Sequence, residues 1–425
     1  MTDARLDRTD EPAISEPAIG EPAIGEPAIG EPASDGPPGA LAGIRVVDLT
    51  TVLMGPLATR MLADHGADVI RVEAKGGEAF LDSEPRRHPH MNAMALNAHR
   101  NKRSVALDLK NEEGAAAMVD LVATADVLVS NMRAGALERL GLDAATLRAR
   151  HPGLVHCVAN GYGSAGPYAD RAAYDDAIQA ISGLAALQTR VTGEPGYSPA
   201  VMADKVCSLH IVQAIMAALL HKARTGLGQA IEVPMFETMV AFNLVEHHGG
   251  HLFDPPLGDV GYPRTLSPFR KPYRCADGYA CILPYNDANW RAFFDFVGRP
   301  EVMDDPRFAA HADRIANSSE LYGMVEELAP TRTVAQWMEF CVAYSIPANP
   351  VLDLNQMADD PHLQAVGMMP VLDHPTEGRY RAVRDAITYE ATPTRLRRHA
   401  PTPGQHTAEI LTELGWSAER MNRMA

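Results

Sequence analysis

Several features that mark common classes of protein are missing from this 425-residue sequence. Its five cysteines form no Cys-x-x-Cys pair and are odd in number, which fits reduced thiols in a cytoplasm rather than a disulfide framework or a zinc site. Basic residues number 38 against 54 acidic ones, so neither nucleic acid nor a membrane surface is expected as a partner. The longest mostly apolar run, residues 211–220, is too short to span a bilayer. We therefore expect a soluble, cytoplasmic protein without a metal centre, in which any anionic ligand needs a local basic pocket.

Glycine-rich phosphate loops are also missing. The turn after the first predicted strand reads LTTVLMGP, which contains no G-x-G-x-x-G, and no P-loop occurs elsewhere. Without those glycines the backbone cannot approach a pyrophosphate closely, so a dinucleotide-binding domain is disfavoured.

The first 40 residues differ in composition from the rest of the chain. Residues 11–34 repeat the pattern Glu-Pro-Ala-Ile-Gly, with a proline every five residues and few large side chains. Such a composition predicts a disordered tail. The segment lacks the basic start and continuous apolar core of a secretory signal, so we do not expect a targeting peptide.

From residue 41 onward, apolar runs typical of strands alternate with helical patterns. This alternation predicts an α/β fold, a doubly wound parallel sheet with ligands at the carboxyl ends of its strands. We assign residues 41–235 to this large domain. Residues 236–274, rich in glycine, proline and aromatic residues, are predicted as a linker or lid, residues 275–350 as a smaller α+β domain, and residues 351–425 as a return segment that completes the large domain.

A series of short motifs then makes a family recognisable. In order, the sequence contains LAGIRVVDLT, GPLATRMLADHGADVIRVE, NKRSVALDLK, DVLVSNMRAGALERLGL, NGYGSAGPYADRAAYDDAIQAISG, ARTGLGQAIEVPMFE and GQHTAEIL. With these motifs the chain resembles the family III CoA-transferases, which include formyl-CoA transferase, carnitine CoA-transferase and the α-methylacyl-CoA racemases. The resemblance implies a CoA thioester as co-substrate with no permanently bound cofactor, an acyl-CoA donor, a carboxylate acceptor and an interlocked homodimer.

Asp204 stands just before a long apolar stretch. Its position alone predicts the N-cap of a buried helix, where a carboxylate stays ionised. The resemblance implies more, because the family's nucleophile is an aspartate in this place, followed by a TGxGQ segment. That carboxylate attacks the donor thioester to give a mixed anhydride, which CoA converts to an aspartyl-CoA thioester.

The racemases of the same family carry an aspartate at the same place, so Asp204 alone does not separate the two activities. They pair it with a histidine 30 residues upstream, and here that position is Tyr174. A neutral phenol is a poor base near pH 7, which favours transfer over racemisation. Asp175, which follows it, is a secondary candidate for positioning or acid–base help. A 2-methylacyl-CoA racemase and a non-catalytic CoA-binding protein remain as alternatives.

The resemblance also implies which residues contact CoA. Lys110 and Arg139 suit its phosphates by charge, although both also fit solvated surface cations. Some relatives carry an arginine where this chain has Ala74, followed by Lys75. Formyl-CoA transferase carries a glutamine where Leu53 stands, so oxalate is not specifically indicated. The predicted set is Val52, Met54, Lys75, Leu107, Lys110, Asn131, Met132 and Arg139.

Two clusters in the predicted linker are left open. The histidines of EHHGGH are interrupted by glycines and lack an acidic partner at metal-site spacing, so substrate contact or a plain linker is favoured over a metal. A nearby basic cluster suits either steering of an anionic substrate or a structural role. These residues are His247, His248 and His251, and Arg264, Arg270, Lys271 and Arg274.

Overall fold

The computed structural model describes residues 37–424 of the chain, so the predicted tail lies almost wholly outside the described residues. The large domain is built on a six-stranded sheet of order β3-β2-β1-β4-β5-β6, in which every neighbouring pair is parallel. The predicted α/β fold with a parallel sheet is confirmed. The strands are β1 (Arg45–Leu49), β2 (Asp68–Glu73), β3 (Lys102–Ala106), β4 (Val127–Ser130), β5 (Val155–Asn160) and β6 (Ala230–Pro234).

Helices cover both faces of this sheet. Alternate residues of a strand point to opposite faces, and on β1 Val46 packs into one core whereas Val47 packs into the other. The helices are α1 (Met54–Asp64), α2 (Ala93–Ala98), α3 (Glu112–Ala123), α4 (Ala134–Arg139), α5 (Ala144–Arg150), α6 (Asp175–Ile181), α7 (Leu184–Thr192), α8 (Met202–Thr225) and α9 (Met235–His247).

The strand order reverses direction between β1 and β4. The loops that leave the carboxyl ends of these two strands therefore lie side by side, which is where doubly wound sheets bind ligands. Helix α8 packs along α1 on one face, and Ile211 and Ile215 of α8 are fully buried there. The first turns of α1 and α8 thus lie close together.

Helix α8 is long and apolar. Its 24 residues have a mean hydropathy of 1.4 over the best window, and by length and composition it is the single helix in residues 37–424 that could cross a membrane. The longest mostly apolar run, residues 211–220, predicts no such segment because it is too short. The polar residues Lys205, His210 and Gln213 interrupt the apolar run. The mean hydropathy of the helix nevertheless stays high enough for a membrane span by composition. One side of α8 forms part of the core between α1 and the sheet.

The predicted linker begins within α9. Met235 and Met239 of this helix are buried in the same core as α1 and α8, so the start of the segment packs with the large domain. Residues 248–272 contain no α-helix or β-strand.

The second domain has its own small sheet and an aromatic core. Strand β8 pairs antiparallel with both of its neighbours. Trp290, Phe293, Phe294 and Trp337 form the centre of the core. Its elements are β7 (Tyr273–Arg274), β8 (Tyr279–Ile282), α10 (Asp287–Phe296), α11 (Pro306–Ala309), α12 (His311–Ala316), α13 (Ser318–Leu328), α14 (Val334–Ala343) and β9 (Ala348–Pro350).

The last segment returns to the large domain. Ile410, Leu411 and Trp416 are buried in the core beneath β1 and β3, and the Trp416 indole donates to Asp120 of α3 at 2.9 Å. The elements are α15 (Pro361–Ala365), the antiparallel hairpin of β10 (Val371–His374) and β11 (Gly378–Arg381), α16 (Thr407–Glu413) and α17 (Ala418–Asn422).

Candidate active site

Asp204 lies in the first turn of α8, not at its cap. The helix begins at Met202 with Val201 as the capping residue, and Val201 makes no side-chain capping bond. The predicted capping role of Asp204 is therefore wrong, because its side chain is already inside the helix. Among residues 37–424, no donor hydrogen-bonds to either carboxylate oxygen of Asp204, which leaves both lone-pair systems available to a substrate.

Asp175, the first residue of α6, supplies the missing cap from outside the helix. Its Oδ1 accepts the backbone N–H of Asp204 at 3.0 Å, and its Oδ2 accepts Nε2 of Gln179 at 2.6 Å. Gln179 is fully buried, and its Oε1 accepts the backbone N–H of Ser198 at 2.9 Å. One glutamine therefore holds both Asp175 and the loop that leads into α8.

The surroundings of Asp204 change its acidity. Burial, followed by the negative charge of Asp175, raises the pKa of Asp204 from 3.8 to about 6. A carboxylate with that pKa is still about 90% ionised at pH 7 and is a stronger nucleophile than an ordinary aspartate. The positive end of the α8 dipole faces the same group and favours its anionic form.

The segment that follows β1 is bonded to α8 one turn beyond Asp204. Ser208, one turn beyond Asp204, donates from Oγ to the carbonyl oxygen of Met54 at 2.7 Å. Asn131, in the loop after β4, holds the opposite end of the segment through two hydrogen bonds to the backbone of Thr51, at 3.1 and 3.0 Å. The loop that contains Val52, together with Met54 at the start of α1, is thereby fixed between α8 and the end of β4.

Val52 has an unusual backbone conformation. Its φ is 68°, in the left-handed region that a β-branched residue rarely adopts. Its N–H donates to Oε2 of Glu78 at 3.1 Å, and Oε1 of Glu78 pairs with Arg71 at 2.7 Å. Strain of this kind persists only where surrounding bonds over-determine the backbone, and it is concentrated at functional sites.

A buried ion pair lies beneath the β1 loop and bonds to the first two turns of α1. Lys102 and Asp48 are both fully buried and lie 2.9 Å apart, and Lys102 also donates to Thr59 Oγ1 and the Pro56 carbonyl. Burial lowers the pKa of Lys102 to about 8, opposed by the attraction of Asp48. Burial also favours protonated Asp48, but Lys102 and hydrogen bonds from Thr50 and Thr59 outweigh it and hold the pKa of Asp48 below 3.8. The pair is not part of the predicted site. Each of the two strands also carries an arginine, Arg45 in β1 and Arg103 in β3, so Asp48 and Lys102 do not stand out in the sequence.

A cavity of about 630 Å³ opens beside the loop at the carboxyl ends of β1 to β4. Of the residues predicted to contact CoA, Lys75, Leu107, Lys110 and Met132 line it, as does Thr51. This volume lies within the usual range for ligand sites, and its lining combines apolar side chains with two lysines and three carboxylates, those of Glu73, Glu78 and Asp108.

The remaining predicted CoA residues lie around this cavity or away from it. Val52 and Asn131 belong to the loops at its edge, and Met54 is buried beneath the β1 loop. Arg139 is exposed at the end of α4 and does not line the cavity.

Within residues 37–424, neither Tyr174 nor His247 forms a hydrogen bond with Asp204. Tyr174 is 70% exposed, and its backbone caps α6 without a side-chain bond. His247 is buried and its Nδ1 accepts the Tyr262 N–H at 3.2 Å, a structural bond within the linker. Residues 37–424 contain no group of three or more side chains able to hold a metal ion.

Comparison with known proteins connects this site to a family. Residues 41–407 match the sequence profile described as CoA-transferase family III. The chain is 34% identical to a succinate–glutarate CoA-transferase of Agrobacterium fabrum, over 88% of this chain and 95% of that one. It is 29% identical to a formyl-CoA:oxalate CoA-transferase of Afipia carboxidovorans, over 88% of this chain and 93% of that one.

Solved structures of two proteins are also similar to this chain in fold and sequence. A CAIB/BAIF family protein from Brucella suis superimposes with a TM-score of 0.75 at 31% identity, covering 89% of this chain and all of that one. A Mycobacterium tuberculosis protein, described as a probable fatty acyl-CoA transferase, gives a TM-score of 0.75 at 29% identity, covering 88% of this chain and 99% of that one. Profile, sequence and fold therefore lead to one conclusion: the chain belongs to CoA-transferase family III.

Proposed function

We propose that the protein moves CoA from an acyl-CoA thioester to a carboxylic acid, with Asp204 as the covalent nucleophile. The observation that carries this proposal is the carboxylate of Asp204, which accepts no hydrogen bond within residues 37–424 and whose pKa is raised to about 6. It lies at the start of a helix anchored to the loop that borders the 630 Å³ cavity. Such a group can attack a thioester without first giving up a proton or a strong hydrogen bond.

The proposed reaction has two matched halves. Asp204 attacks the donor thioester carbonyl, which forms a mixed anhydride and releases the CoA thiolate. The thiolate attacks the Asp204 carbonyl, which releases the donor acid and leaves an aspartyl-CoA thioester. The acceptor carboxylate attacks that thioester to form a second anhydride, and the thiolate then attacks the acceptor carbonyl. The products are the new acyl-CoA and free Asp204, and no water is consumed.

Asp175 fits a positioning role in this scheme. It holds the backbone of Asp204 at 3.0 Å, and its charge helps to raise the pKa of the nucleophile. It does so with both oxygens already accepting hydrogen bonds. We therefore propose that Asp175 acts through Asp204 rather than by moving a proton itself.

The cavity suits the CoA part of the substrate. Lys75, which donates to the Met424 carbonyl, and Lys110 provide positive charge for phosphates, and Leu107 and Met132 provide apolar surface for the adenine. Of the three carboxylates in the same lining, those of Glu73 and Glu78 are paired with Arg71. We propose aliphatic or dicarboxylic acids as the acyl groups, since the relatives are named for succinate, glutarate, formyl and fatty acyl substrates.

Trapping tests the proposed function directly. The protein is incubated with an acyl-CoA donor, quenched with hydroxylamine and digested, and the hydroxamate is located by mass spectrometry. We expect the label on Asp204, none in Asp204→Asn, and an unchanged label in the matched variant Asp176→Asn on the exposed side of α6. Transfer without modification of Asp204, or transfer retained in Asp204→Asn, contradicts the proposal.

We also propose a homodimer with interlocked chains. Large apolar side chains on the outer sides of α8 and α9 and in the return segment are exposed, with exposed fractions of 58% for Leu209, 85% for Val245 and 86% for Leu354. Apolar surface of this extent is typical of a buried interface. Native mass spectrometry at low micromolar concentration should give a dimer, and Val245→Asp should shift it towards monomer; a monomeric wild-type protein contradicts this.

A cytoplasmic location is proposed on the state of the cysteines. All five are free thiols, and Cys281 is the exposed one. Free thiols persist in reducing compartments. Fractionation of the native source should recover the protein with cytoplasmic markers, and recovery from an oxidising compartment contradicts the proposal.

A further inference from the structure

One surface of the described chain carries several arginines that form no salt bridge. The arginine face is defined by Arg87, Arg379, Arg381, Arg384 and Arg397. Within residues 37–424 none of these guanidiniums forms a salt bridge; three of them donate instead to backbone carbonyl oxygens. Elsewhere, Arg103 alone is paired with three carboxylates. Carboxylates do lie nearby, since Glu377, Asp385 and Asp64 line the adjoining cavities and Asp64 and Asp68 attract Arg397, but arginines outnumber them in the lining. In a chain with a formal net charge of −16, such an excess of positive charge is unusual.

The arginine face is continuous and contains cavities. A cavity of about 430 Å³ and another of about 480 Å³ share Arg379 and Arg381 on β11. A third, of about 60 Å³, shares Pro370 with the second and reaches Arg384. Positive charge and apolar recesses thus alternate along this surface. The apolar lining of the two larger cavities includes Met91, Leu96, Met357, Leu363 and Val371.

The described chain begins beside this face. The backbone N–H of Leu41 donates to the His65 carbonyl at 2.9 Å, just beyond the end of α1. The guanidinium of Arg397 donates to the carbonyls of Ala63 and Gly66 at the same place. Residues 1–36 therefore enter the described chain next to Arg397, and at about 3.3–3.6 Å per residue they are long enough to reach every part of the arginine face.

The chemistry of residues 1–36 complements that surface. They contain nine acidic and two basic residues, and no basic residue occurs after Arg8. Between Glu11 and Glu31 a glutamate recurs every five residues, with an isoleucine between successive glutamates. Charge and apolar groups thus alternate in the segment as they do on the face.

We propose that residues 1–36 bind the arginine face of their own chain, with glutamates paired to guanidiniums and isoleucines placed in the two larger cavities. Exposed ion pairs are individually weak and are screened by salt. The interaction is therefore reversible, and high ionic strength releases it.

Photo-crosslinking in the full chain tests the proposal. A benzophenone amino acid replaces Ile24, the protein is irradiated, and crosslinked peptides are located by mass spectrometry in a mixture of isotopically light and heavy chains. We expect crosslinks within one chain, to residues 86–97 or 357–398. Their yield should fall at least about fivefold in 1 M salt.

Matched variants test whether the crosslinks depend on the charges of the arginine face or only on its closeness to residues 1–36. Arg379→Glu/Arg381→Glu should reduce the crosslinks at least about fivefold, whereas Arg190→Glu/Arg291→Glu, which carries the same change of charge at exposed positions elsewhere, should leave them unchanged. Replacing Glu16, Glu21, Glu26 and Glu31 by glutamine leaves residues 37–424 untouched and should give the same loss. Crosslinks that are scattered, that join two chains, or that persist in both charge variants overturn the proposal.

Discussion

The pKa of Asp204 predicts how the transfer rate falls at low pH, which is the acid limb of the pH–rate profile. Transfer requires its anionic form, and the pKa is raised from 3.8 to about 6 by burial first and by Asp175 second. We expect kcat/KM for the acyl-CoA donor to be level above about pH 7 and to fall to about one-tenth at pH 5. An ordinary aspartate would keep the rate nearly constant over that range.

The variant Asp175→Asn separates the effect of burial on the pKa of Asp204 from the effect of the Asp175 charge. Removing the charge lowers the pKa of Asp204, but burial is the larger cause, so less than half of the rise of about two units should disappear. The half-maximal rate should therefore move down by less than about one pH unit, and activity at pH 5 relative to pH 8 should rise by less than about tenfold. The asparagine keeps an acceptor for the Asp204 N–H and loses the one for Gln179.

The assay is initial-rate kinetics at subsaturating donor from pH 4.5 to 8.5, with Asp176→Asn as the matched control. A phosphate of the donor also titrates near pH 6. Such a limb would lie at the same pH in every variant. An acid limb that does not move in Asp175→Asn, or that moves to higher pH, refutes the argument.

Three further predictions follow from neighbouring contacts. Gln179→Leu removes the amide that holds both Asp175 and the Ser198 backbone, so the support of the loop that leads into α8 is lost and kcat/KM at pH 8 should fall; an unchanged rate contradicts this. Lys102→Met leaves Asp48 buried without its partner and should cost about 3–5 kcal/mol in urea unfolding, whereas Lys271→Met, at an exposed pair, should cost less than about 1 kcal/mol; equal costs contradict the burial argument. Lys110→Ala should raise KM for acyl-CoA about three- to tenfold with kcat unchanged, and Arg139→Ala should raise it less; the reverse order places the phosphates outside the cavity.

The large domain was predictable because its strands and helices have clear periodicity. The apolar runs RVVDL and DVIRVE form β1 and β2, and the segment EEGAAAMVDLVA, which begins with two glutamates and has helical apolar spacing, forms α3. Periodicity is a local property, so it survives in a single sequence. The helix α14 was missed, although the Thr333 and Gln336 capping box at its start is visible in the sequence.

The details of the site depend on contacts between distant residues, which periodicity cannot predict. Asp204 was expected to cap its own helix, but Asp175, which is far away in sequence, accepts its N–H instead. Burial and that neighbour also raise the pKa of Asp204, against the helix dipole on which the sequence argument relied. Likewise, Lys75 and Lys110 meet in one cavity whereas Arg139 does not, because the strand order decides which loops are adjacent.

The central claim is that the carboxylate of Asp204 forms an anhydride in every turnover. With an acceptor acid labelled with ¹⁸O in both carboxylate oxygens, each cycle leaves one acceptor oxygen on the nucleophile. Trypsin releases residues 191–205, which contain Glu194 and Asp204, and tandem mass spectrometry distinguishes the two. We predict ¹⁸O on Asp204 and none on Glu194, dependent on the presence of an acyl-CoA donor. Continued formation of the new acyl-CoA with no ¹⁸O on Asp204 contradicts the account.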